Sequence, residues 1–139
     1  MNWLVYFLVA VVLGAIGVAV WARMAPSDPA IWHAMPGAVT DRDMAGGAMR
    51  VVGAGEDGLT RLDQIIRAEP RTQVLAGSAD DGMITYIARS RLFGFPDYIT
   101  TRQNGPQIEI YARLRFGASD LGVNARRLDR WLALLGQGG

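Results

Sequence analysis

The sequence predicts an α+β protein: an N-terminal single transmembrane helix, then an antiparallel sheet of about four strands packed against two helices. Three observations carry that expectation. The first 22 of 139 residues hold no charged side chain, while every carboxylate and every arginine lies beyond them. Between residues 72 and 116 the apolar positions recur with the period of strands, broken by polar turns. On either side of that block, apolar residues recur with the period of helices.

The opening run, Trp3 to Ala22, is 20 residues long and uncharged. At 1.5 Å per residue it extends roughly 30 Å, the thickness of a hydrocarbon core. Trp3, Tyr6 and Trp21 stand near its ends, where aromatic rings favour the membrane interfaces. Gly14 and Gly17 do not make a G-x-x-x-G pair, so helix self-association is only weakly signalled. A signal peptide is the competing reading. The run lacks a preceding Lys or Arg and exceeds the usual apolar length, so an uncleaved anchor is expected. Arg23 follows the helix and by itself points the domain toward the cytoplasm.

Residues 24–58 are crowded with breakers: Pro26, Pro29 and Pro36, then Gly37, Gly46, Gly47, Gly53, Gly55 and Gly58. They read as a tether lying along the domain, with one short strand at Met49–Val52 and with Trp32 docking on the domain to fix its course. Leu59, Leu62, Ile65 and Ile66 then share a helical face, started by Asp57 or Gly58 and stopped by Pro70. Strands follow at 72–77 and 83–91 around the Ser78–Gly82 turn, then at 97–103 and 107–116 around Asn104-Gly105. That turn predicts Ile99 opposite Ile110 and Tyr98 opposite Tyr111, with Ile108, Ile110, Ala112, Leu114 and Phe116 facing inward. The alternate residues Gln107, Glu109, Tyr111, Arg113 and Arg115 face outward. Leu128, Trp131, Leu132 and Leu135 make the stripe of a final helix, capped by Asn124 or Asp120. The domain is expected over residues 59–136.

Composition excludes several classes of function. All 14 cationic side chains are arginine, 13 residues are acidic, the net charge is +1 and there is no cysteine. A disulfide scaffold, a thiol enzyme and a cysteine metal site are ruled out. A near-neutral balance disfavours nucleic acid. No metal or other cofactor is expected, because His33 stands alone and no calcium-loop pattern is present. Gly53-Ala54-Gly55-Glu56-Asp57-Gly58 matches G-x-G-x-x-G literally, with Asp80 and Asp81 near the ribose-acid spacing. Glu56 and Asp57 would repel a pyrophosphate from the helix start, and no further βαβ units follow. A glycine-rich tether ending in an aspartate cap is the better reading.

The segment with most chemical promise is the last 50 residues. Arg89 with Arg91, and Arg113 with Arg115, are expected as pairs on neighbouring strands. Like charges so placed need an anion between them. Asp97 and Asp120 are the internal candidates; a carboxylate, phosphate or lipid headgroup is the external one. With Ser119 and Asn124, these eight residues are the candidate network or anion site. The plain alternative is a guanidinium network fastening the sheet to the Ser119–Asn124 turn. An enzyme would need Asp97 or Asp120 as a base with a raised pKa, and flanking arginines are expected to lower both.

At these residues the chain resembles the domain-of-unknown-function family 1499. Arg89, Ser90, Arg91, Leu92, Phe93, Phe95 and Asp97 match its R-S-R-L-F-x-F-x-D stretch. Arg115, Gly117, Ser119, Asp120, Leu121, Gly122, Val123, Asn124 and Arg127 match its second hallmark. Pro26-Ser27-Asp28-Pro29 with Trp32-His33 resembles a membrane-anchored bacterial branch. The chain departs from the pattern at Ala112 and Leu114, where serines are common, and lacks a cysteine-containing segment. The resemblance implies a bacterial envelope protein and turns the expected orientation toward the periplasm, but implies no activity. The expected function is a membrane-tethered, non-catalytic interaction domain, an accessory subunit or assembly factor of an inner-membrane complex. Its partners would be the lipid bilayer and a larger membrane protein complex, with no nucleic acid and no metal. The alternative is an anionic small molecule or lipid headgroup held by the paired arginines.

Overall fold

The computed structural model describes residues 2–138. Helix α1 runs Trp3–Met24 and contains an 18-residue window of mean hydropathy 2.6, none of it buried within the protein. It is long and apolar enough to cross a membrane, a property that an anchor and a signal sequence share. A single short turn, α2 (Pro29–Trp32), follows; Asp28 caps it by accepting from the Ala30 amide at 2.9 Å.

The sheet has six strands, not about four. In chain order they are β1 (Arg42–Met44), β2 (Gly47–Gly53), β3 (Thr72–Ser78), β4 (Met83–Arg89), β5 (Pro96–Asn104) and β6 (Gln107–Leu114). They lie in the spatial order β1-β2-β6-β5-β4-β3, all antiparallel. The two additional strands come from residues 42–53, where glycine density mimics a tether. β2 is longer than the short strand expected there and pairs fully along β6.

Helices α3 (Gly58–Arg67) and α4 (Val123–Gln137) cover one face. Leu59, Leu62 and Ile66 of α3 and Leu128, Trp131 and Leu135 of α4 are buried against Ala48, Ile84, Tyr86, Ile99, Ile108, Ile110 and Ala112. These are the apolar positions of period 3.6 in the helices and period 2 in the strands, so amphipathicity alone brings them together.

The β5–β6 register is two residues away from the expected one: Ile99 faces Ala112 and Thr101 faces Ile110, while Tyr98 faces Arg113. The loop is Gly105-Pro106, not Asn104-Gly105. Gly105 takes φ +58° at the first loop position, as a tight hairpin requires, and Pro106 in the second needs no N–H for the ladder. A shift of two preserves the faces, so the inward set survives the error.

The face expected to look outward is roofed. The chain from Pro26 to His33 crosses it, and Thr85, Ile87, Tyr98 and Thr100 on that face are buried. Trp32 stacks on Tyr98 with ring centroids 4.0 Å apart, the docking its isolation in the tether suggested. His33 Nδ1 lies 2.8 Å from Thr85 Oγ1, so the lone histidine is a clasp on the roof.

Candidate functional site

The eight candidate residues do not form one cluster. β5 separates β4 from β6, so the two arginine pairs are not on neighbouring strands. Arg113 and Arg115 hold the tether. Arg113 donates to Thr100 Oγ1 at 2.8 Å, to the Tyr111 carbonyl and to the Trp32 carbonyl, and its guanidinium lies 4.6 Å from the Tyr111 ring. Arg115 donates to the Pro26 carbonyl at 2.7 Å and to Tyr98 Oη at 2.9 Å. Ser27 Oγ completes that knot, 2.6 Å from the same Tyr98 oxygen. Neither arginine meets a carboxylate. Burial without a counter-charge pushes the Arg113 guanidinium down to about 10, leaving it a cation held by neutral acceptors and aromatic faces.

The aspartates serve the helix instead. The Asp120 carboxylate accepts from the Gly122 amide at 2.9 Å and the Asn124 amide at 3.1 Å, capping α4 from two residues ahead of its Gly122 N-cap. Ser119 Oγ accepts from the Leu121 amide, tightening the same turn. Asp97, on the helix-covered face, accepts from Asn124 Nδ2 and Arg127 Nη1, both at 3.2 Å. The matched helix arginine, Arg127, is therefore its partner, not a strand arginine. Burial raises the Asp97 carboxyl above its usual range despite Arg127 and Asn124, and Asp120 adds to the rise. The expectation that arginines would depress it is overturned, because desolvation is the larger effect in this seam. Asp97 lies between sheet and helix at 17 % side-chain exposure, enclosed by the groups that bind it.

Arg89 belongs to a third environment, the end of α1. Its Nη1 donates to the Ala22 carbonyl at 3.3 Å and the Gly94 carbonyl at 3.0 Å. Reciprocally, Arg23 at the end of α1 donates to Phe93 O at 2.8 Å and Leu92 O at 3.1 Å. Gly94 takes φ +74°, and a Cβ there would strike the Arg23 side chain. Trp21 packs on Phe116 at 4.8 Å, and Phe95 lies between Phe93 and Phe116. The segment Ser90–Phe95 thus runs beside α1, with Leu92 and Phe93 lining an apolar groove against Val12, Ala15, Ile16 and Ala19. Arg91 is exposed beside them. Nothing in the local sequence marks this lock, since Arg23 pairs with carbonyls 69 and 70 residues away.

The G-x-G-x-x-G loop spends its amides inside the fold. Ala54 N and Gly55 N both donate to the Pro106 carbonyl, and Leu59 N donates to Gln103 Oε1 at 2.8 Å. An antiparallel sheet and these occupied donors do not suit a nucleotide cradle, yet the motif is the turn from β2 into α3 and not a tether, and the Asp57 side chain makes no cap hydrogen bond.

One carboxylate outside the candidate set gives a pH test. Glu69 Oε1 accepts from Trp131 Nε1 and Arg130 Nη2, both at 2.9 Å. Burial opposes ionisation, yet these donors together hold its carboxyl below the ordinary 4.5. A depressed folded pKa contributes stability that is complete above pH 4.5 and disappears as pH falls through the folded value. Glu69→Gln should therefore melt below the parent at neutral pH, and the gap should close in acid; a gap independent of pH would contradict this assignment.

The family described as Protein of unknown function (DUF1499) matches residues 24–135, and the chain belongs to it. The match begins at the end of α1, so it takes in the roof and the β1–β2 hairpin as well as the residues from 59 onward. No curated protein matches the chain, and no solved structure does.

Proposed function

We propose that this is a non-catalytic interaction domain held flush against a bilayer by α1, serving as an accessory subunit or assembly factor of a larger complex in that membrane. The lock between α1 and the domain carries the reading. A domain on a slack linker would sample many heights and tilts. Here Arg23, Arg89 and the Trp21–Phe116 contact fix the helix end, and the linker is spent roofing the sheet. Those contacts also favour retention of α1 over removal as a signal sequence, because cleavage after Ala22 would strip the domain of the Trp21 ring and of the Ala22 carbonyl that Arg89 holds.

The lock sets a depth. Leu92 and Phe93 lie beside residues 12–19 of α1, so in a bilayer they sit within the hydrocarbon. Backbone polar groups there must be satisfied internally. Arg23 takes the Leu92 and Phe93 carbonyls, Ser90 Oγ accepts from the Phe95 amide, and the Gly94 amide donates to Ser90 O. Arg23 thereby has a structural duty and carries little information on orientation. The envelope setting that the family resemblance implies points this reading to a bacterial inner membrane with the domain on its periplasmic side.

Extraction from the native membrane in a mild detergent tests the role: the chain should migrate with a larger complex. A lone monomer at native expression would contradict it.

A further inference from the structure

Beside the lock lies a cleft of about 280 Å³ lined by Arg23, Arg71, Thr72, Gln73, Arg89, Ser90 and Gly94. Three cations and no carboxylate face it. Among the described residues, none of the three arginines forms an ion pair with an acid. Their recorded partners are neutral carbonyls: Arg71 Nε reaches Arg89 O, Arg89 Nη1 reaches Ala22 O and Gly94 O, and Arg23 reaches Ala19, Leu92 and Phe93. Both terminal nitrogens of Arg71, and Nε and Nη2 of Arg89, are left as donors. Three guanidinium groups around one cavity repel one another until an anion enters. Planar forked donors suit a phosphate better than a point charge would.

Arg71 adds an independent observation. Among the described residues it is one of two non-glycine residues with positive φ, at +56°. An arginine in that conformation carries backbone strain that glycine or asparagine would relieve. Of the three arginines at the cleft, the strained one is also the one whose guanidinium makes the fewest hydrogen bonds.

We propose that this cleft binds a phosphate-bearing anion, and that its source is the headgroup of an anionic phospholipid. Depth selects that source. Arg23 ends the apolar helix, and Leu92 and Phe93 reach back along it, so the cleft stands where phospholipid phosphates lie. Only this choice of source rests on the membrane reading above; the cation site itself does not, and neither depends on a partner complex.

The test uses the full chain, immobilised in neutral detergent and offered phosphatidylglycerol or phosphatidylcholine. Phosphatidylglycerol should be retained preferentially, and excess inorganic phosphate at constant ionic strength should displace it. Arg71→Asn, which suits the positive φ, should melt no lower than the parent yet retain phosphatidylglycerol roughly tenfold less. Arg42→Asn, at an exposed arginine on the edge strand, should leave retention unchanged. Phosphate binding lost in Arg71→Asn, with no lipid retained, would support the site and reassign its source to free phosphate. Equal retention of the two lipids, or an Arg71→Asn variant that retains as the parent does, would overturn the proposal.

Discussion

Tyr98→Ala should cost about 3–5 kcal/mol, the range for deleting a fully buried aromatic side chain, and should lift the roof from the sheet. Tyr98 is wholly buried at the centre of the roofed face. Its ring is the platform for Trp32, and its hydroxyl joins Ser27 to Arg115. Removing it ends the stack, empties the space beneath the roof and leaves Arg115 with Pro26 O as its one hydrogen-bond acceptor among the described residues. Tyr98→Phe keeps the platform and loses only the knot, about 1 kcal/mol. Chemical unfolding in detergent measures the cost, and amide exchange at residues 27–33 reports the roof. Fast exchange should appear in Tyr98→Ala before global unfolding; a uniform loss across the domain would contradict the idea of a roof pinned at one point.

Trp131→Ala should destabilise by a similar about 3–5 kcal/mol, on the opposite face. Trp131 is the largest fully buried side chain, and it sits on α4 in the core shared by both helices and the sheet. It has no neighbour able to fill the space without moving a helix. Its Nε1–H also goes to Glu69, so truncation leaves that half-buried carboxylate with Arg130 alone. Here the loss should be global, with α3, α4 and the sheet unfolding together. The contrast with Tyr98→Ala separates a core from a roof. A Trp131→Ala variant as stable as the parent would mean that α4 is not packed as described.

The helices and strands β3 to β6 were legible because each shows one strong period. Leu59, Leu62 and Ile66, or Ile108, Ile110 and Ala112, can satisfy only one geometry. Of the β1–β2 hairpin only Met49–Val52 was expected as strand: Gly46, Gly47 and Gly53 signal breakage, while pairing with β6 decides their fate. Asp97, Asp120 and Asn124 come together at the start of α4, but their arginine was misassigned. Sequence distance favours Arg89 or Arg91, yet folding α4 onto the sheet brings in Arg127, 30 residues away. The roof contacts and the α1 lock are side chains reaching backbone carbonyls, and a carbonyl is the one acceptor that no residue type advertises. That is why Arg71 drew no notice, why Arg23 was read only as an orientation signal, and why Arg113 and Arg115 looked solvent-facing.

If the domain is locked to the end of α1 as proposed, Leu92 and Phe93 lie inside the bilayer. The chain has no cysteine, so a single introduced one reports one place. A nitroxide on Leu92→Cys, in the full chain reconstituted into vesicles, should be reached by oxygen and shielded from a water-soluble relaxation agent. The same label on Asp80→Cys, in the β3–β4 turn at the far end of the sheet, should show the reverse. A Leu92→Cys label as open to the aqueous agent as the Asp80→Cys label would mean that the domain stands clear of the membrane, and the account would fail.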